Sequence, residues 1–200
     1  MHSVTQIDFD EINSRHKQHP ARYTRAVKLA WKHVRPRIAS GKLLEIGAQH
    51  RPIGKYFPTF EYWSMDIRKT AENVIVGDIT NCPELESAQF DVIVSIDVFE
   101  HLNRPWKAAD EIKRLLKPGG IVFVTTIFAW RYHPSPIDYY RYSPDALEFL
   151  FDGLDTLEKG WDYIERRRDN RKATSIEPVD EFGGWRENVR VNYVGQKPLS

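Results

Sequence analysis

Four apolar runs in this sequence end on or beside a carboxylate. Glu45-Ile-Gly47 closes the run 43–46, Asp66 closes 60–65, Gly77-Asp78 closes 73–76, and Asp97 closes 90–96. One such acid is commonplace, because aspartate favours turns. Four at the same end of successive strands would concentrate acceptors for hydroxyl and amino groups. Asp66 lies 19 residues after Gly47, close to the spacing at which an acid after a second strand grips a ribose diol. Asp78, after a glycine, has the chemistry to accept from an adenine amino group. Each acid would also serve as an ordinary turn cap. Together they suggest an adenosine site. The turn after the first run lacks part of the pattern G-x-G-x-x-G, since Gln49 and Pro52 stand where glycines are required. It offers no pyrophosphate cradle, so a cofactor without a pyrophosphate fits better than NAD.

The candidates for acid–base work lie further on. His101 follows the fourth run, and its alternative role is a structural hydrogen bond. The segment 128–142, FAWRYHPSPIDYYRY, follows the fifth run and is too polar-aromatic and proline-broken for a core element. In it His133 and Tyr139 are candidate acid–base partners. Trp130, Arg131, Asp138, Tyr140 and Arg141 are candidates for holding a polar ring. The alternative for Asp138 and Arg141 is an ion pair with each other inside a rigid lid. Asp97, Glu100 and His101 form an acid-x-x-acid-His pattern of mixed oxygen and nitrogen ligands. No second histidine lies nearby in sequence, so no metal is expected.

The elements that position these residues follow from periodicity. Residues 21–39 carry apolar side chains at helical spacing, broken near Pro36, with a basic outer face read as solvated. Runs 90–96 and 121–127 are almost continuously apolar, which means burial on both faces of a parallel sheet. Between them, 105–116 reads as a helix that starts at Pro105 and stops at Lys117-Pro-Gly-Gly120. Ser143-Pro144 caps another helix through about residue 151. Residues 154–168 and 186–195 read as two long strands that pair antiparallel at the sheet edge. The expectation is an α/β, Rossmann-like, doubly wound and mostly parallel seven-stranded sheet with an antiparallel edge strand. One domain covers 1–200, with a lead-in at 1–20 and lid segments at 128–145 and 170–188.

Composition narrows the classes. Hydrophobic content of 41% and charged content of 28% suit a globular protein, and a net charge of +1 gives no field to draw nucleic acid or a membrane surface. The single cysteine, Cys82, excludes an internal disulfide and a cysteine-rich zinc site. No signal peptide or membrane-length apolar run is read, so the expected setting is cytoplasmic, with no membrane or nucleic-acid partner and a homodimer left open.

In order and spacing, several motifs resemble the class I S-adenosylmethionine-dependent methyltransferases of the "type 11" kind. Leu43-Leu-Glu-Ile-Gly47 is similar to the first motif, V-L-D-x-G-x-G-x-G. Phe90-Asp-Val-Ile-Val-Ser-Ile-Asp-Val-Phe-Glu-His-Leu102 resembles the strand-four motif, and Leu115-Leu-Lys-Pro-Gly-Gly120 the strand-five entry. Asp-Tyr-Tyr-Arg-Tyr-Ser-Pro144 resembles a D-Y-W-R-[FY]-[ST]-P segment of one branch. The departure is Gln49 and Arg51, which stand where the second and third glycines are usual. The resemblance implies S-adenosyl-L-methionine as cofactor. Glu45 and Gly47 would meet its methionine part, Asp66 its ribose, and Asp78 and Ile79 its adenine. Ile96, Asp97 and Val98 would lie under the sulfonium, and Ala48, Gln49 and Ile67 complete the contact set. The implied activity is methyl transfer to an O or N atom of a small polar acceptor, a sugar or secondary-metabolite intermediate among the candidates. The alternatives are a noncatalytic cofactor-binding regulator and, disfavoured by the missing glycines, an oxidoreductase.

Overall fold

Strand β4 (Phe90–Ile96) runs through the middle of the molecule, and its neighbours explain where a ligand can sit. The structure, a computed structural model, describes residues 22–48, 52–72, 74–134, 136–166 and 186–199. Helix α1 (Arg22–Val34) leads into β1 (Gly41–Ile46). A 3-10 turn, β2 (Phe60–Asp66) and β3 (Val74–Val76) precede β4. Then come α2 (Pro105–Leu115), β5 (Leu116–Ile127), α3 (Pro144–Leu150), β6 (Asp155–Arg166) and β7 (Arg186–Gln196). The sheet order is β3-β2-β1-β4-β5-β7-β6. β1 to β5 are mutually parallel, and β7 runs antiparallel to both β5 and β6. The seven-stranded α/β sheet with its antiparallel edge is the expected one.

The continuous apolar runs are explained by two cores, one on each face. Leu43, Val92 and Val94 pack under α1 with Ala26, Ala30 and Val34. Their chain neighbours Leu44 and Ile93 face the other way, onto Ile112 and Leu115 of α2 and Leu147 and Phe151 near α3. Strand side chains alternate between faces, so a strand covered on both sides has no polar positions to offer.

Element ends are set by local chemistry. α1 stops at Val34, two residues before Pro36, because a proline disfavours helical backbone at the residue before it. Pro105 occupies the first turn of α2, where its missing N–H costs nothing. Ser143 Oγ accepts from Ala146 N at 3.1 Å and caps α3. β5 begins at Leu116 rather than near 121, because Lys117-Pro-Gly-Gly120 already runs in the sheet. Leu116 pairs with Phe90, and Gly119 N donates to Lys197 O at 2.9 Å. The expected lead-in at 1–20 and most of the expected segment 170–188 lie outside the described residues. No helix among the described residues is long and apolar enough to cross a membrane.

Candidate active site

The chain leaves β1 toward β2 on one side of the sheet and returns at β4 on the other. Between β1 and β4 it therefore opens a crevice at the carboxyl ends of the strands, the place where open α/β sheets bind ligands. A cavity of about 450 Å³ lies there. Gly47, Asp66, Ile67, Asp78, Ile79, Asp97 and Val98 line it from the strand ends, and His101 and Tyr139 line it from the following segments.

Gly47 is fixed in type by its backbone and its neighbour. Its φ is +78°, and a Cβ there would stand 2.3 Å from Val98 Cγ2. Bare backbone at the end of β1 thus faces the cavity across from β4. Asp66 and Asp78 turn out to be turn caps and cavity walls together. Oδ1 of Asp66 accepts from Arg68 N at 2.9 Å, and Oδ1 of Asp78 accepts from Thr80 N at 2.8 Å. Ile67 is apolar yet 55% exposed, and it lies beside Asp66 in the same lining. Acceptors next to an open apolar surface suit a ribose and a flat base.

Three other cofactor candidates are placed differently. Glu45 is buried, and its Oε2 accepts from Ile53 N at 2.8 Å and Tyr62 Oη at 2.7 Å. It ties β1 to β2 and to the 3-10 turn and is not in the cavity lining. Burial and the Glu45 carboxylate push the Tyr62 phenol well above its ordinary range. Ala48 is buried and receives Thr70 Oγ1 on its carbonyl at 3.4 Å. Ile96 packs toward α1, on the face away from α2. Gln49 lies outside the described residues.

Asp97 adopts φ +57°, a left-handed conformation that aspartate tolerates better than most residues. Its side chain pairs with Arg190 of β7, which is 4% exposed. No spacing rule connects those two residues. They meet because β7 inserts beside β5 with Arg190 opposite Ile127.

Glu100 is the residue that sequence reasoning weighed least. Its side chain is fully buried, its Oε2 accepts from Thr126 Oγ1 at 2.6 Å, and its Oε1 is buried without a hydrogen-bond partner. Its backbone carbonyl receives Tyr139 N at 2.8 Å and Tyr140 N at 3.2 Å, which docks the segment after β5 onto the one after β4. The signal available was the pair Thr125-Thr126 closing an otherwise apolar strand.

His101 Nδ1 lies 2.6 Å from Ile137 O. A carbonyl only accepts, so Nδ1 is the donor of this bond and Nε2 is the ring nitrogen left for other partners. His133 packs edge-on against His101, with ring centroids 5.0 Å apart.

The segment 128–142 is partly core, contrary to the expectation from its composition. Tyr142 is 4% exposed and its hydroxyl donates to Phe99 O at 2.9 Å. Asp138 and Arg141 form a two-pronged ion pair at 2.5 and 2.7 Å, with the Asp138 side chain 1% exposed. Arg141 also donates to Trp130 O and Arg131 O, so the pair fastens the segment to itself. Trp130 and Arg131 are exposed and outside the cavity lining, and Tyr140 donates to Asn103 O at 3.4 Å.

The hydrogen bonds from Arg141 hold the Asp138 carboxyl well below the ordinary carboxylate range, against the opposing effect of burial. A depressed folded-state value contributes stability that is complete above the unfolded value, near pH 4, and is lost as pH falls through the folded one. Amides of 133–142 are therefore expected to keep their hydrogen-exchange protection down to about pH 4 and to lose it below. In Asp138→Asn that acid-dependent loss should disappear, with protection already low at neutral pH. Equal acid sensitivity in both proteins would show that the pair does not fasten the segment.

Residues 55–124 match the family model described as "Methyltransferase domain". A mitochondrial ubiquinone biosynthesis O-methyltransferase of Dictyostelium discoideum is 33% identical over 63 residues, which is 31% of this chain and 20% of that protein. A ubiquinone biosynthesis O-methyltransferase of Actinobacillus pleuropneumoniae serotype 5b (strain L20) is 36% identical over 64 residues, 32% of this chain and 26% of that protein. The matched stretches thus span a fifth to a quarter of those relatives' lengths. Among solved structures, the Burkholderia thailandensis 1,6-didemethyltoxoflavin-N1-methyltransferase, with S-adenosylhomocysteine bound, superposes with a TM-score of 0.62 at 13% identity, covering 96% of this chain and 86% of that one. Crevice, strand order and motif stretch agree: the chain has the fold of the class I S-adenosylmethionine-dependent methyltransferases, and residues 55–124 are similar to the methyltransferase domain family.

Proposed function

We propose that the protein is an S-adenosylmethionine-dependent methyltransferase that delivers a methyl group to a hydroxyl oxygen of a small polar acceptor. One observation carries the reading. One cavity at the topological switch has turn acids and open apolar surface among its lining, and the oriented imidazole of His101 in the same wall. Its volume is in the range of small-molecule sites.

Bound S-adenosylmethionine supplies a methyl group on a sulfonium, an electrophile that needs alignment more than activation. Asp66 offers acceptor capacity to the ribose hydroxyls, Asp78 to the adenine amine, and Ile67 and Ile79 offer apolar contact to the base. Gly47 lets the cofactor approach the backbone. A hydroxyl acceptor must lose its proton as it attacks. His101 is in the cavity wall with Nδ1 engaged by Ile137 O, so Nε2 is the ring nitrogen left to take that proton. Tyr139 shares that wall, and His133 stands behind His101. The choice of oxygen rests on the two O-methyltransferases that share the motif stretch.

The test is calorimetry with S-adenosylmethionine and S-adenosylhomocysteine, followed by transfer of a labelled methyl group to a panel of sugars, phenols and other hydroxyl-bearing metabolites. Saturable binding of both nucleosides and label transfer to one acceptor class are expected. Failure to bind either nucleoside would overturn the reading. Binding without transfer to any of the panel would favour a noncatalytic regulator.

A further inference from the structure

The ion pair between Asp97 and Arg190 has no assigned part in methyl transfer, yet it stands at the cavity. Asp97 lines the cavity at the end of β4. Arg190 reaches it from β7, where it is buried opposite Ile127 of β5. We propose, on the methyltransferase reading, that Arg190 is a positioning residue: it holds and neutralises the Asp97 carboxylate beneath the cofactor's sulfonium, and so sets how strongly the site prefers S-adenosylmethionine to S-adenosylhomocysteine.

Strand order points the sulfonium toward Asp97. Asp78, Asp66, Gly47 and Asp97 follow β3, β2, β1 and β4, which is the order of those strands across the sheet. With the adenine at Asp78 and the ribose at Asp66, the rest of the cofactor extends across β1 toward β4, where the cavity continues to Asp97, Val98 and His101. β4 lies two strands from β2, about 10 Å at the usual spacing. The methyl group must face the His101 wall, because the acceptor's proton leaves there. Asp97 and Val98 are then the β4 residues beneath the sulfur.

The fold alone does not call for a charged pair at this place. Asp97 N donates to Thr125 O at 3.0 Å, and the φ of +57° turns the chain so that Val98 packs against Gly47. Asparagine or glycine would take that conformation as readily. A buried arginine–carboxylate pair is in general no more stabilising than neutral side chains of similar volume. The reaction, by contrast, gives charge a role. As the acceptor oxygen bonds the methyl carbon, the C–S electrons return to sulfur, the acceptor's proton passes to His101, and the positive charge on sulfur is lost. A free carboxylate beneath the sulfur would stabilise the cation most before transfer and so raise the barrier. Paired with Arg190, the carboxylate becomes one end of a dipole, negative at the cavity and positive in β7. Its pull on the sulfonium is much weaker than that of a free carboxylate, so the cofactor is preferred to its product without being trapped.

The test is calorimetry with S-adenosylmethionine and S-adenosylhomocysteine at about pH 8, where carboxylates are ionised, read as the ratio of the two dissociation constants. Arg190→Met uncovers the carboxylate and should shift the ratio toward S-adenosylmethionine by about tenfold. Asp97→Asn leaves the Arg190 charge facing the sulfonium and should shift it by about tenfold the other way. The double variant should return the ratio to near that of the parent, and Arg190→Lys, which keeps the charge, should also stay near it. A pair that merely holds the fold would weaken both nucleosides together. An unchanged ratio in both single variants would therefore overturn the proposal, and so would shifts of the same sign. Should Arg190→Met fail to fold, Asp97→Asn and the double variant decide, since neutral residues are tolerated in place of a buried ion pair. A parent protein that binds neither nucleoside would overturn the methyltransferase reading itself, whereas parent binding with unchanged ratios overturns only the role of Arg190.

Discussion

Gly47→Ala should lose most affinity for S-adenosylhomocysteine and melt well below the parent. Gly47 has φ +78°, where an L-residue is strained by about 1–2 kcal/mol. The added methyl would also stand 2.3 Å from Val98 Cγ2, far inside contact distance, so either β1 or β4 must give way at its carboxyl end. Strain and overpacking together should cost about 2–4 kcal/mol, which for a chain of this size lowers the melting midpoint by roughly 5–15 °C. Gly47 and Val98 both line the cavity, so the same displacement reshapes the site. A loss of at least about 30-fold in affinity, or about 2 kcal/mol, is expected in calorimetry. Val98→Ala placed on top should recover part of the stability, because it removes the methyl groups that collide, and the two changes should be strongly non-additive. Parent-like affinity in Gly47→Ala would mean that the cofactor does not approach the end of β1.

Much of the scaffold could be read in advance because it rests on local rules. β4 and β5 are apolar without alternation since both faces are covered, and Pro105 and Ser143 mark helix starts by their own backbone chemistry. The strand-end acids Asp66 and Asp78 line the cavity for the same reason, because a strand's end fixes where the next residue stands. Long-range meetings were not legible. Asp97 meets Arg190 across 93 positions, and His133 reaches His101 only because the segment after β5 docks on the carbonyl of Glu100. The acid-x-x-acid-His pattern of Asp97, Glu100 and His101 has no second histidine near it in sequence. In space the second histidine is present, while Asp97 is committed to Arg190. Glu45 is placed differently from the other strand-end acids. Its place in the motif points to the cofactor, yet its Oε2 accepts from Ile53 N and Tyr62 Oη. A carboxylate inside a buried strand must be satisfied, and the nearest donors belong to the scaffold.

Asp66 allows its two readings, turn cap and ribose ligand, to be separated by substitution. Oδ1 accepts from Arg68 N at 2.9 Å, so Asp66→Ala removes the cap together with any ligand contact. Losing such a cap costs stability on the order of 1 kcal/mol. Losing hydrogen bonds between a carboxylate and two ribose hydroxyls costs binding about 1.5–3 kcal/mol each. Asp66→Ala is therefore expected to weaken S-adenosylhomocysteine binding by about 100-fold or more while lowering the melting midpoint by only a few degrees, roughly 2–4 °C. Asp66→Asn keeps an oxygen for Arg68 N but replaces the second acceptor by a donor and removes the charge. If the ribose is held by this residue, Asn should bind nearly as poorly as Ala while melting like the parent. If the cap alone matters, Asn should restore binding. Near-parent affinity in both variants would place the ribose elsewhere in the cavity. Because the two variants differ in the turn and agree in losing the carboxylate, their comparison tests the adenosine assignment without depending on which acceptor receives the methyl group.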